Sequence, residues 1–450
     1  MTNFPEEFNL ADYFLFDRLR EGKGSRIALR FGERTSTYDE VAERSRSLAA
    51  YFVQLGVRQE ERIYTVLPDA PPFAWSLYGT FAAGGVVAMG NPHAPTKDLE
   101  YVISYSRASV LITTDLAAQG LCEFLSGDGG RHLRAVLLVP DAATGDDPEG
   151  PVAIPDFGDA AFEALPLSEA LKIGRRSEMS LPTTKRDDLC MWLFTSGSTG
   201  RPKAAMHTHR DFAFNTEVYA KATVGYHEDD VSVSVPKLFF GYATGTNLFF
   251  PMAVGACSGL FSERPTPEAL ANAIAMYKPT VITNVPTMMG KLLDHDERLK
   301  KDGKPPIDMS AVRFQLSAGE ALPPALYERF VNRFGGEVYD GIGSAEMFHI
   351  YASNRPGDVK GGALGKAVEG YELRVLPRDA EGPGAPPVPP GEIGVLWVRG
   401  DSVALGYFQD RDRSWKTFHG HWCRTGDLFK MDEEGYLWFA GRDDDLFKAS

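Results

Sequence analysis

The sequence has few cysteines and no excess of positive charge. Four cysteines, Cys122, Cys190, Cys257 and Cys423, are scattered along 450 residues without the CxxC spacing of zinc or redox sites. Their scatter predicts a reduced, cytoplasmic setting. Because 61 acidic residues oppose 47 Lys and Arg, the formal net charge is −14, and we expect no nucleic-acid partner.

The sequence also shows no sign of a targeting signal or of a membrane segment. The first seven residues, MTNFPEE, lack the basic-then-apolar order of a signal peptide. We predict no membrane-spanning segment and no membrane partner. A composition of 43% hydrophobic and 24% charged residues is typical of globular proteins, and 450 residues exceed the usual size of one core. Two or three subdomains are therefore expected.

One polar run is suited to phosphate, although its spacing is not that of a P-loop. Hydroxyl groups and closely approaching backbone can hold anionic oxygens, and Arg201 and Lys203 add positive charge. A P-loop would need Gly-Lys-Ser/Thr, whereas Lys203 follows Pro202. Taken alone, such a run is more often a solvated turn. The run follows the apolar segment 189–194 and consists of Thr195, Ser196, Gly197, Ser198, Thr199 and Gly200.

Short apolar runs alternate with helical patterns through most of the chain. This alternation predicts an α/β fold with two doubly wound parallel-sheet subdomains, 1–185 and 186–355. Glycine-punctuated strands such as 391–400 predict a small antiparallel β subdomain over 356–450, and 141–159 and 382–390 are predicted loops. The strands predicted for the parallel sheets are 62–67, 85–89, 109–114, 134–139, 278–284 and 312–317.

Four further segments place polar residues and glycines after predicted strands. They are 317–322, 339–346, 422–427 and 441–448, and they follow the phosphate-suited run in this order. Ligands of open α/β sheets bind beyond the carboxyl ends of strands, so these segments are expected to converge on one site. Such a set in such an order is far more specific than any one of its members.

With these motifs the sequence resembles the adenylate-forming superfamily of acyl-CoA synthetases, adenylation domains and luciferases over essentially all 450 residues. Within it, the chain is most similar to benzoate- and aminobenzoate-CoA ligases. The resemblance implies a two-step reaction with ATP, Mg²⁺ and CoA, in which a small aromatic carboxylate becomes an acyl-adenylate and then a thioester. The oligomeric state, a homodimer included, stays open. The residues that carry the aryl likeness are His207, Thr208, His209, 237–242, 263–267, 340–344 and 346–350.

The resemblance also implies roles for the nucleotide-site residues. Thr195, Lys203 and Glu346 are the expected catalytic residues, with Glu346 as the metal ligand, and Asp427 is expected to accept the ribose hydroxyls. A structural glutamate, a turn aspartate and, for Arg442, a surface ion pair are the alternatives. The remaining residues expected to contact ATP or AMP are those of the run 195–200, Gly319, Glu320, Ala321, Asp340, Gly341, Ser344, Ala345 and Arg442.

The acyl pocket carried over from the benzoate ligases is an apolar slot for a flat ring. A 2-amino substituent would need an acceptor, for which Tyr242 and His349 are the candidates. Without the motif context the aromatic residues would be ordinary core, and His349 could be a structural histidine. The expected walls are Phe240, Gly241, Tyr242, Ala318, Gly343, His349 and Ile350.

Two departures from the family stand out. Ala345 occupies the position where the family usually has a threonine that reaches the AMP phosphate, so either Ser344 replaces it or one hydrogen bond is lost. The family's hinge is expected at Asp444, and its C-terminal lid of about 100 residues, which carries a catalytic lysine, is expected to be absent. We therefore expect this chain to be the large domain of a longer enzyme, which binds an acyl-adenylate tightly and forms it slowly.

Two other functions share these motifs. An adenylation domain that loads a carrier-protein thiol would need the same ATP site, and only the thiol acceptor distinguishes it. A module that binds an adenylate without turnover is favoured by Ala345 and the expected loss of the lid, but it has no need of Lys203, Glu346 and Asp427 together. A fatty acyl substrate is disfavoured, because Tyr242 and His349 suggest a closed pocket.

Overall fold

The computed structural model describes residues 3–141, 147–196 and 201–443. Three sheets organise these residues, as the α/β prediction requires. The strands are β1 Ile27–Phe31, β2 Arg34–Thr37, β3 Arg62–Val66, β4 Val86–Met89, β5 Val110–Thr114, β6 Ala135–Val139, β7 Glu163–Pro166, β8 Leu189–Ser196, β9 Pro202–Thr208, β10 Val231–Ser234, β11 Cys257–Leu260, β12 Val281–Asn284, β13 Phe314–Ser317, β14 Glu337–Gly343, β15 Ile350–Ser353, β16 Lys366–Ala367, β17 Glu372–Leu376, β18 Gly394–Arg399, β19 Phe418–His419, β20 Trp422–Met431 and β21 Leu437–Arg442.

Helices connect and cover the strands. Several begin with a proline in the first turn, where no helical N–H bond is lost. The α-helices are α1 Asp17–Arg20, α2 Tyr38–Gln54, α3 Pro71–Ala82, α4 Thr96–Ser106, α5 Asp115–Gly120, α6 Cys122–Ser126, α7 Leu167–Arg175, α8 His209–Asn215, α9 Gly241–Thr244, α10 Phe250–Val254, α11 Pro267–Tyr277, α12 Pro286–Lys301, α13 Pro324–Phe334 and α14 Arg411–Thr417. Wider π-helical turns span Asp12–Phe16, Thr216–Val224 and Gly245–Phe249, and 3₁₀ turns span Asp128–Gly130 and Ala345–Met347.

The first two sheets are largely parallel. One has the order β7-β6-β5-β3-β4-β8-β9, and only its β8–β9 hairpin is antiparallel. The other has the order β16-β15-β14-β13-β12-β10-β11-β1-β2, with antiparallel pairs at both edges. All six strands predicted for the parallel sheets are confirmed, as β3, β4, β5, β6, β12 and β13.

The third sheet is antiparallel, as predicted for the end of the chain. Its order is β17-β18-β20-β19, with β21 paired to β20, and the predicted strand 391–400 is β18. Sheet membership crosses the predicted boundary at 185/186. The early strands β1 and β2 extend the nine-stranded sheet, whereas β8 and β9 complete the seven-stranded one. The three-part division of the chain therefore stays a prediction.

The main core lies around α3, which is buried along its whole length. A helix that is apolar on every side belongs to the interior of a protein. Its Phe81 and Tyr78 pack against Phe249, which in turn stacks on Phe14 with ring centroids 4.6 Å apart. Within the described part of the chain, no helix has the length and apolar character that crossing a membrane requires.

Contact between α2 and α7 depends on one glycine, and this generates a stability prediction. A Cβ at Gly174 would lie 1.8 Å from the Ser47 carbonyl oxygen, so Gly174→Ala should lower the free energy of unfolding by about 3 kcal/mol. Gly290, in α12, is the matched control, because its nearest neighbour would be 3.9 Å away and Gly290→Ala should raise that free energy by about 0.5–1 kcal/mol. Urea denaturation measures both, and equal effects would contradict the packing argument.

Candidate active site

A cavity of about 440 Å³ opens where the three sheets meet. It lies at the carboxyl ends of β13 and β14, and β8, α9, β20 and β21 complete its walls. Its volume is within the range of small-molecule sites. The lining residues are Leu193, Phe194, Phe239, Phe240, Gly241, Tyr242, Ala318, Gly319, Glu320, Ala321, Gly341, Ile342, Gly343, Ser344, Ala345, Phe348, His349, Ile350, Leu364, Asp427, Phe439 and Arg442.

Most of the predicted site residues meet in this cavity. All seven residues predicted for the acyl pocket line it, together with eight of those predicted to contact the nucleotide: Gly319, Glu320, Ala321, Gly341, Ser344, Ala345, Asp427 and Arg442. Thr195, Lys203, Asp340 and Glu346 do not line it. The predicted residues Gly197, Ser198, Thr199, Gly200 and Asp444, and the side chain of Ser196, lie outside the described residues.

Several lining residues were missed by the sequence reasoning. Ile342, Phe239 and Phe348 lie inside the segments 340–344, 237–242 and 346–350 that carry the aryl likeness, but they were not predicted as pocket walls. Leu193 and Phe194 come directly before the phosphate-suited run, a position that could have suggested them. The sequence held no comparable signal for the other two missed residues, Leu364 and Phe439.

Glycines let the end of β14 pack closely against β15. A Cβ at Gly343 would lie 2.4 Å from the His349 carbonyl oxygen, and one at Gly341 would lie 2.7 Å from the Ala352 carbonyl oxygen. Real Cβ atoms do not approach backbone oxygens so closely, so only glycine fits at these two positions. The wall of the cavity here is backbone, which leaves a flat surface.

Phe348 has a strained backbone at the edge of the cavity. Its φ of 69° and ψ of −58° form a tight turn in which the His349 N–H donates to the Met347 carbonyl oxygen at 3.0 Å. A bulky residue in this region costs of order 1–3 kcal/mol, which the surrounding packing must offset. The turn reverses the chain directly after Ala345–Met347 and brings Phe348 and His349 to the wall.

His349 and Tyr242 present polar atoms without partners among the described residues. His349 Nε2 lies 3.0 Å from the Tyr242 carbonyl oxygen, which can only accept, so Nε2 carries the proton and Nδ1 is an acceptor. Burial lowers the pKa of His349 to about 4, so the ring is neutral at pH 7. His349 Nδ1 and Tyr242 Oη are buried and make no hydrogen bond within the described part of the chain.

Lys203 and Glu346 form a charged pair beside the cavity. Lys203 Nζ lies 3.9 Å from Glu346 Oε1 and 3.7 Å from the ring centre of Tyr407, whose hydroxyl donates to the same oxygen at 2.6 Å. Burial lowers the pKa of the Lys203 ammonium, although Glu346 acts in the opposite direction. The pair lies next to Ala345, which lines the cavity.

The pairing of β8 with β9 brings Thr195, the first residue of the phosphate-suited run, to this charged pair. Thr195 and Lys203 are paired across the hairpin, one residue from its described end at Ser196 and Pro202. Arg201 lies over the ring of Tyr101 at 5.3 Å. Thr195, the first residue of the run, therefore lies in strand β8 next to Lys203 rather than in a turn.

Asp427 and Arg442 face each other on neighbouring strands of the third sheet. They are paired in register between β20 and β21, and Arg442 Nε lies 3.2 Å from Asp427 Oδ1. Gly426, with φ of 76°, turns the backbone directly before Asp427. Because the Arg442 side chain is 58% exposed, the ion pair itself adds little stability, and both residues line the cavity.

The residues present fit a magnesium ion only together with a ligand. No group of three or more His, Cys, Asp or Glu side chains among the described residues could hold a metal. Mg²⁺ is commonly held by one or two carboxylates plus substrate phosphates and water, and Glu346 supplies such a carboxylate beside the hairpin.

The chain is similar in sequence and in fold to known proteins. The sequence pattern described as AMP-binding enzyme matches residues 16–408. The benzoate–CoA ligase of Thauera aromatica is 35% identical over 447 residues, which cover 99% of this chain and 79% of that protein. The solved anthranilate CoA ligase AuaEII in complex with anthranoyl-AMP is 30% identical, with a TM-score of 0.85 over 98% of this chain and 78% of that one. A benzoate CoA ligase from Burkholderia xenovorans LB400 is 33% identical, with a TM-score of 0.82 over 98% and 81%.

The chain belongs to the family of AMP-binding enzymes. Its fold is that of the adenylate-forming CoA ligases. The predicted resemblance to benzoate- and aminobenzoate-CoA ligases is confirmed.

Asp340 provides a pH-dependent prediction. Burial raises the pKa of the Asp340 carboxyl to about 7, although hydrogen bonds from Ser317 and neighbouring backbone amides act in the opposite direction. The carboxyl of an aspartate in the unfolded chain has a pKa near 4. Ionising this group therefore lowers the free energy of unfolding progressively as pH rises from about 4 to 7. The stability of Asp340→Asn relative to the unaltered protein should improve over this range. Urea denaturation at pH 5 and pH 8 measures the difference, and a pH-independent difference would contradict the assignment.

Proposed function

We propose that this chain binds ATP and an aromatic carboxylate for an aryl-CoA ligase. The observation that supports this most is one cavity whose apolar end, around Tyr242 and His349, is continuous with a polar mouth at Asp427 and Arg442. A planar acid and a nucleotide would then lie in one enclosed volume. An acid–thiol ligase that works through an acyl-adenylate needs this arrangement.

We assign the nucleotide to the polar side of the cavity. Asp427 would accept the ribose hydroxyls, with Arg442 beside it, and Gly319, Glu320, Ala321, Asp340 and Gly341 would surround the adenine. The hairpin residues 195–200 and Lys203 would hold the phosphates, and Glu346 would bind Mg²⁺. When bound, Mg²⁺ neutralises phosphate charge. Lys203, at 3.9 Å from Glu346, adds a second positive charge at the same place.

In this proposal, Ser344 supplies the hydroxyl group that the family's usual threonine would supply at the position of Ala345. Ser344 lines the cavity, and its Oγ is buried without a partner among the described residues. A buried hydroxyl in this state costs free energy unless a ligand satisfies it. The phosphate of AMP is the ligand that we propose, which would compensate for Ala345.

In the first step, a carboxylate oxygen of the acid bonds to the α-phosphorus of ATP, and the bond to the pyrophosphate oxygen breaks. In the second step, the sulfur of CoA bonds to the carbonyl carbon, the bond from that carbon to the phosphate oxygen breaks so that AMP leaves, and the thiol proton is released to solvent. Both reactants of the first step are anions, so the chain must hold them in line and offset their repulsion. Lys203 and the hairpin backbone serve this purpose.

The apolar end favours a benzoate that carries a hydrogen-bond donor. Aromatic side chains and the flat wall at Gly343 suit a ring, whereas His349 Nδ1 is an acceptor with no partner among the described residues. An amino group next to the carboxylate would satisfy this acceptor, and benzoate would leave it unpaired. We therefore propose 2-aminobenzoate as the preferred acid.

The acid preference can be measured by calorimetry with ATP and Mg²⁺ present. We expect 2-aminobenzoate to bind about tenfold more tightly than benzoate or 4-hydroxybenzoate, and octanoate to bind weakly, because one satisfied buried hydrogen bond is worth about this factor. Tyr242→Phe should keep the preference, and His349→Phe should remove it. Preference for octanoate would contradict the aryl pocket, and preference for benzoate would contradict the role of His349.

The metal role can be tested with Glu346→Gln. The dissociation constant of ATP should rise about tenfold in Mg²⁺ and stay unchanged in EDTA, because the amide keeps the shape and loses the charge. Glu217→Gln is a matched control, since Glu217 also accepts from a tyrosine, Tyr13, and pairs with a lysine, Lys221. Calorimetry of ATP reports both, and an unchanged response of Glu346→Gln to Mg²⁺ would refute the role.

A further inference from the structure

His207 connects the phosphate hairpin to the turn that carries Glu346. Its ring is completely buried, with Nε2 2.7 Å from the Ala345 carbonyl oxygen and Nδ1 3.0 Å from Asp211 Oδ2. The carbonyl can only accept, so Nε2 donates to it. The side chain therefore crosses from the end of β9 to the residue directly before Glu346.

Asp211 fixes the orientation of the His207 ring. Its Oδ2 also accepts the Thr208 N–H at 3.0 Å, and its Oδ1 accepts the Thr208 hydroxyl at 2.8 Å. The bond from the Thr208 N–H belongs to the capping box at the start of α8, and both bonds hold the carboxylate in place. On its other side, the His207 ring packs edge-on against Phe348, which lines the cavity. The contacts with Asp211 and Phe348 therefore hold the ring in one orientation.

Strand β9 consequently holds the turn at two points. Lys203, near its beginning, faces the Glu346 carboxylate, and His207, near its end, holds the carbonyl of the preceding residue. We infer that His207 is a positioning residue, which sets the place of the Glu346 carboxylate relative to Lys203 by holding the Ala345 carbonyl oxygen. The inference rests on the proposed role of Glu346 in binding Mg-ATP.

Other contacts preserve the turn when this one is lost. The Ala404 N–H donates to the Glu346 carbonyl oxygen at 2.8 Å, and the Ser402 hydroxyl donates to the Met347 carbonyl oxygen at 2.8 Å. Removing the His207 contact should therefore shift the carboxylate without unfolding the segment. A purely structural histidine would affect stability and leave the response to Mg²⁺ unchanged.

Two substitutions separate the two nitrogens of His207. The amide nitrogen of Asn takes the place of Nδ1 and keeps the contact with Asp211, whereas that of Gln takes the place of Nε2 and keeps the contact with Ala345. We expect His207→Asn to raise the dissociation constant of ATP about tenfold in Mg²⁺ and to leave it unchanged in EDTA. His207→Gln should stay within about twofold under both conditions. Calorimetry of ATP binding measures all four values.

The matched control is His209→Asn, because His209 is equally buried but accepts a bond from the Leu10 N–H, far from the turn. Urea denaturation of all variants measures how much each substitution lowers the free energy of unfolding. If His207→Asn and His207→Gln weaken binding equally, or weaken it equally with and without Mg²⁺, the positioning role is overturned. It is also overturned if neither changes binding while Glu346→Gln does. If Glu346→Gln itself binds normally, the proposed metal role fails, and the positioning role fails with it.

Discussion

The arrangement of the site depends on how the segment 345–350 is held between the sheets. Four of the six carbonyl groups of this segment have a donor from a different part of the chain, and three of these donors are His207 for Ala345, the Ala404 N–H for Glu346, and Ser402 for Met347. Asn215 donates to the Ile350 carbonyl oxygen at 2.8 Å. These donors satisfy carbonyl groups that, apart from that of Ile350, lie outside the β-strands. They also offset the strain at Phe348.

Because this segment is fixed, it can hold a charged pair, Lys203 and Glu346, beside the cavity with little exposure to solvent. Lys203 and Glu346 are 17% and 14% exposed, so each needs the other and Tyr407 to compensate for lost hydration. An isolated pair so placed contributes little to folding. The free energy lost on burying this pair is better regained when ATP binds together with Mg²⁺, which is the state proposed for the working enzyme. The arrangement therefore favours ligand binding and lowers the stability of the ligand-free protein.

Sequence reasoning predicted the parallel strands and most of the cavity because both depend on local pattern. Apolar runs define β3 to β6, and the motifs follow strands whose carboxyl ends must meet. It could not assign β1 and β2 to the nine-stranded sheet, since pairing with β11 is a long-range choice. Nor could it distinguish His207 from His209. Both are buried in one short run, yet one donates to a carbonyl oxygen and the other accepts from an amide, with its pKa lowered by burial to about 3.

The continuity of the cavity has a consequence for the chemistry. In the proposed reaction the product of the first step is a mixed anhydride that joins the aromatic ring to the nucleotide. Both His349 and Arg442 line a single cavity, so in this proposal the same contacts would serve reactants and product. Holding two reactants in one enclosure replaces a bimolecular encounter by an intramolecular one, which can lower a barrier by about 7–11 kcal/mol. The glycines of β14 matter here because side chains at Gly341 and Gly343 could not be accommodated against β15 without moving this wall.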